Sequence, residues 1–130
     1  MLAMLSFLAA ESAPSDLVRA TVFFIPFEIE TYAAVTPGNI VSQAWEKWSI
    51  SSKRDSNRLV AILSDGHDDA FDENRVRALV TVGQKSYLID TNGVVRTRGR
   101  HDIKIDSAAL TEFRSTLGPK QRQVFTKRTP

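Results

Sequence analysis

The segment Asp65-Gly66-His67-Asp68-Asp69-Ala70-Phe71-Asp72-Glu73 gathers five carboxylates and an imidazole, donor types that hold metal ions. Calcium needs six or more oxygens at regular loop spacing, and Asp, Gly and Glu do not fall at the positions of a helix–loop–helix calcium site. The segment therefore reads as a solvated connector, its acids near Arg75 and Arg77. His101-Asp102 is the one adjacent pair resembling an oriented general base, and it lies in a polar stretch with no recognisable nucleophile. Glu28 and Glu30 share one face of an alternating segment. Glycoside hydrolysis needs two carboxylates across a cleft about 5 to 10 Å apart, and the solvent face of a strand offers no cleft. The chain has no Cys, which removes thiol nucleophiles, thiolate metal sites and disulfides, and it has only two His. Gly-rich phosphate loops, zinc-protease signatures and nucleophile elbows are absent. The expectation is a non-enzymatic protein with no catalytic residues, no metal and no cofactor.

Charge carries more information. Residues 1–93 hold 8 Lys and Arg against 12 Asp and Glu, whereas residues 94–130 hold 9 against 3. Arg96, Arg98 and Arg100 recur every second residue, so in an extended strand their guanidiniums emerge on one face. Arg75 and Arg77 repeat that spacing on an earlier strand. If the strands share a sheet, five arginines crowd one surface, with Tyr87 beside them and the cations Lys104, Lys120, Arg122, Lys127 and Arg128 extending it. Like charges this close oppose sheet formation, which predicts an anionic partner. The expected binding residues are Arg96, Arg98, Arg100, Arg75, Arg77 and Tyr87, and the expected partner is an acidic protein surface. Nucleic acid is the lesser alternative, because exposed aromatics beside the basic stripe are few and a net charge of +2 is modest for a phosphate binder.

The elements that must position these residues follow from periodicity. Val18 to Val35 alternates, with Phe23, Ile25, Phe27 and Ile29 on one parity, which predicts a long half-buried strand. Pro26 lacks the N–H of a central strand and predicts an edge position or a break. Thr36-Pro37-Gly38-Asn39 reads as a helix start, with Ile40, Val41, Ala44, Trp45 and Trp48 at helical spacing and both Trp in the core. A second helix is expected over Arg58–Leu63, capped by Asp55 or Ser56. Val76 to Val82, Ser86 to Ile89 and Val94 to Arg98 predict an antiparallel meander turning at Gly83-Gln84 and Asp90-Thr91-Asn92-Gly93, with Ile103–Ile105 as an extension. Asp106 or Ser107 caps a last helix carrying Leu110, Phe113 and Leu117. The fold class is α+β, one antiparallel sheet of about four strands with helices mainly on one face. The alternative is a curved, cone-shaped sheet around a long helix, a small-ligand-binding or enzymatic fold with a pocket lined by Trp45, Tyr32 and a buried His or Asp.

The length of 130 residues, 42% hydrophobic and 25% charged, suits one domain. We read residues 14–118 as that domain and 119–130 as a free basic tail. Met1 to Ala10 is almost wholly apolar and is followed by a polar stretch, so residues 1–13 read as an export-signal remnant or an N-terminal helix. A signal would place the protein in the periplasm or outside the cell; otherwise it is cytoplasmic. No run reaches the roughly 20 apolar residues of a membrane span.

The stretches Phe-Ile-Pro-Phe-Glu-Ile-Glu-Thr-Tyr at 24–32, Thr-Pro-Gly-Asn-Ile at 36–40, Phe-Asp-Glu-Asn-Arg-Val-Arg at 71–77 and Tyr-Leu-Ile-Asp-Thr-Asn-Gly-Val-Val at 87–95 give a layout that resembles small bacterial immunity proteins. The similarity spans residues 18–117. It implies an inhibitor that binds and blocks a cognate toxin, often in the cell envelope. It transfers no site residues, because such interfaces differ from pair to pair.

Overall fold

A computed structural model describes residues 19–125. Residues 1–13, read above as a signal or helix, lie outside that range. The elements run β1 (Ala20–Phe24), α1 (Ile40–Gln43), β2 (Glu46–Ile50), α2 (Lys53–Ser64), β3 (Gly66–Asp68), β4 (Val76–Val82), β5 (Lys85–Asp90), β6 (Val94–Thr97), β7 (Ile103–Ile105), α3 (Ser107–Ser115) and β8 (Arg122–Val124). The eight strands form one sheet in the order β3-β7-β6-β5-β4-β1-β2-β8, every neighbouring pair antiparallel. The α+β class and single antiparallel sheet stand. The strand count rises from about four to eight, because three of the additional strands are only three to five residues long and take their partners from distant parts of the chain.

β4 to β7 form the expected meander, with Gly83 and Gly93 in its turns at φ 61° and 83°. Asp90, fully buried, organises the second turn: its carboxylate accepts from the backbone N–H groups of Asn92 (2.8 Å), Val94 (2.9 Å) and Asp72 (2.9 Å). α2 and α3 pack on one sheet face over Val22, Phe24, Trp48, Val80, Ile89 and Val95. Ser52 caps α2 by accepting from the Asp55 N–H, so the helix starts earlier than the expected Arg58 and takes in the polar residues from Lys53. Asp106 caps α3 as expected, and Leu110 and Phe113 are its buried residues. Among the described residues no helix is long and apolar enough to cross a membrane.

Two expectations fail by periodicity. β1 buries Ala20, Val22 and Phe24 in the main core, the parity opposite to the one expected, and it ends before Pro26. Ile25 belongs instead to a second cluster on the other sheet face with Val35, Ile40 and Val76. The helix expected through Trp48 stops at Gln43, and Ala44 turns extended (φ −62°, ψ 146°). Glu46, Trp48 and Ile50 then alternate into the core as β2. The spacing of Ile40, Ala44 and Trp48 suits a helix, but Glu46-x-Trp48-x-Ile50 equally suits a strand. Packing decides: Trp48 lies 4.9 Å from the Phe24 ring and 6.3 Å from Phe113, while Trp45 is left 46% exposed. The tail expected to be free from residue 119 contributes β8 to the sheet edge.

Candidate partner-binding groove

The structure disperses the arginines. Arg96 points to the face opposite α2 and α3, where it donates to Asp102 (2.8 Å) and Glu73 (3.2 Å) and stacks 4.7 Å from the Phe71 ring. The Asp102 hydrogen bonds outweigh burial and raise its already high pKa. Arg98 is exposed in the turn after β6. Arg100 turns to the helical side, where its Nη2 donates to the Leu63 carbonyl at 2.9 Å. Alternation holds only while the strand lasts, and β6 ends at Thr97, so the Arg96-Arg98-Arg100 face does not form. Tyr87 is buried in the main core, because its parity is that of Val80 across the sheet. It is not available at the surface, so Arg96, Arg98, Arg100, Arg75, Arg77 and Tyr87 do not form one surface.

Arg75 and Arg77 do meet at one site, but not as a flat basic stripe. A bulge between Val76 and Ala78 shifts the register and turns Arg77 inward, leaving it 5% exposed. Its Nη1 donates to the Val76 carbonyl (3.0 Å) and its Nη2 to the Ile29 carbonyl (3.2 Å), while Nε has no partner among the described residues. Burial, then the neighbouring Arg75 charge, lowers its pKa from the ordinary guanidinium value. Arg77 thus ties the loop at 27–34 to the start of β4. The loop is closed at both ends: the Ile25 N–H donates to the Arg77 carbonyl (2.7 Å), the Val35 N–H to that of Asn74, and the Val76 N–H to that of Val35 (2.9 Å).

Between this loop and the residues Asn74, Arg75, Arg77 and Thr91 lies a groove of about 500 Å³. Glu28, Glu30 and Tyr32 line it from the loop side. Tyr32 is wholly exposed, and Arg75 is two-thirds exposed with a loose contact to Asp72 at 3.8 Å. Both charge signs therefore face one concavity, with an aromatic ring beside them. Of the side chains expected to line the pocket of a cone-shaped fold, Tyr32 lines this groove, whereas Trp45, His67 and His101 do not. Glu28 and Glu30, read above as solvated, are its acidic wall.

A second charge cluster had no counterpart in the sequence reading. Glu46 is buried on β2 and accepts from Trp48 Nε1 (3.0 Å), from Arg122 Nε and Nη2 (3.0 and 3.1 Å) and from Arg114 Nε (2.9 Å) and Nη2. Burial alone would raise the carboxyl, but the hydrogen bonds from Arg114, Arg122 and Trp48 prevail and hold it at about 2. The partners lie 68 and 76 residues away, beyond the reach of any local pattern. The only signal was the buried parity of Glu46 with Trp48 and Ile50.

In the acidic segment, His67 and Asp68 belong to the edge strand β3, and Asp69 accepts from the Ala70 N–H. Among the described residues no three His, Asp or Glu side chains converge to hold a metal ion. No family model, curated protein or solved structure matches the chain.

Proposed function

We propose that the protein is a non-enzymatic binding domain that occludes a partner protein through the groove between the loop at 27–34 and the start of β4. The observation that carries the reading is Tyr32, a wholly exposed aromatic beside a groove with carboxylates on one wall and a guanidinium on the other. Exposed Tyr and Arg supply most of the affinity in protein interfaces, and neighbouring charges of both signs set register and partner choice. Anchoring by Arg77 favours this role, because a loop already held in place loses less entropy on docking. The immunity-protein resemblance suggests that the partner is a toxin and the effect inhibition.

The test is calorimetric titration with the product of the reading frame immediately upstream, using wild type, Tyr32→Ala and Arg75→Glu. The expected result is a complex that each substitution weakens by about tenfold or more, the loss usual for an interface anchor. A complex indifferent to both substitutions would remove the groove from the interface. Absence of any complex would refute the inhibitor reading for that partner.

A further inference from the structure

We propose that the outer edge of β8 is a docking site for an extended acidic segment of a partner protein, which adds to the sheet as a ninth strand. β8 ends the strand order, and among the described residues no strand pairs with its outer side. In the β2–β8 ladder the Ser49 N–H donates to Gln121 (2.7 Å) and the Phe125 N–H to Trp45 (2.9 Å). By the alternation of an antiparallel pair, residues 121, 123 and 125 turn their backbone groups towards β2, and Arg122 and Val124 turn theirs outward. The Arg122 N–H is used by the Gly118 carbonyl (3.1 Å), which leaves the Arg122 carbonyl and both backbone groups of Val124 directed away from the sheet. Such an edge is a template for another strand.

Charge and apolar surface select the occupant. Glu46 and the nearby Glu28 balance the two guanidiniums of Arg114 and Arg122, and the exposed Lys120 leaves this end of the sheet with a net positive charge. Val124 and Trp45 are 56% and 46% exposed, unusual for large apolar side chains, and both lie at this end of the sheet. A second copy of the chain would bring two such cationic edges together and is disfavoured. Arg122 and Val124 share the face of Glu46 and Trp48, while Phe125, of the other parity, pairs with Trp45, so a strand whose carboxylates alternate with apolar residues sets its carboxylates on the Arg122 face and its apolar side chains on the Phe125 and Trp45 face.

The probe is a fluorescein-labelled octapeptide of alternating Glu and Val, followed by anisotropy against the full chain, with a Lys/Val peptide as control. Saturable binding of the Glu peptide alone is expected, weakening as salt is raised. Val124→Pro removes only an N–H that β2 does not use, a position where an edge strand tolerates proline. It should weaken binding by about tenfold, the equivalent of one intermolecular hydrogen bond, with circular dichroism and melting temperature unchanged. Should Val124→Pro disturb the fold, Lys120→Glu is the deciding variant, and it should weaken binding several-fold. Tyr32→Ala should bind the peptide as wild type does, which separates this edge from the groove. Equal binding of both peptides, no binding of the Glu peptide up to about 1 mM, or full binding by a folded Val124→Pro overturns the proposal.

Discussion

Replacing Glu46 with Gln removes the charge that holds β2, α3 and β8 together while keeping the side chain's size. The folded-state carboxyl ionises at about 2 and the unrestrained one at 4.5. At 1.36 kcal/mol per pH unit, this linkage supplies about 3 kcal/mol of stability at neutral pH. Breaking a buried pair by removing one partner costs a similar amount, about 3 to 5 kcal/mol. Arg114 and Arg122 keep a quarter to a third of their side-chain surface exposed and regain water, which moves the expected loss to about 2 to 3 kcal/mol. Because the folded pKa is depressed, the stabilisation is complete above about pH 4.5 and is lost as pH falls through about 2. Urea denaturation of wild type and Glu46→Gln across pH 7 to 2 should show a gap that is constant near neutrality and closes at the acid end. A gap of the same size at pH 2.5 and pH 7, or no gap at pH 7, refutes the assignment of the network as an electrostatic clamp.

Two further outcomes are expected. Asp90→Ala orphans three backbone N–H groups around one turn and should lower stability by about 2 to 4 kcal/mol, measured by urea midpoint, with the loss of amide protection centred on Asp72, Asn92 and Val94. Gly66→Ala drives a Cβ into the Lys104 carbonyl oxygen, a backbone atom that cannot swing aside, so β3 should detach from β7. Hydrogen exchange should then show protection lost along β3 and β7 and retained in β1, β4 and β5; protection unchanged at Lys104 would contradict the close approach.

The local features of the chain were legible wherever the interactions that decide them are local. Alternating Ala78, Val80 and Val82, the Gly83 and Gly93 turns and the Asp106 cap depend on neighbours within a few residues, and they appear where periodicity and turn chemistry placed them, whereas Val76 is carried to the other face by the bulge. The same holds for the α+β class. What the sequence alone left open was decided by partners far along the chain. Trp48 lies in a strand because Phe24 and Phe113 receive its ring and because Arg114 and Arg122 neutralise Glu46 beside it; with the same local pattern and no such partners, a helix satisfies it as well. Arg77 is buried because one bulge reverses its direction, and Arg96 and Arg100 part company because β6 ends between them. A two-residue period places side chains on a common face only over an unbroken strand. The positions of bulges and strand ends, and with them the surfaces open to a partner, belong to the tertiary structure.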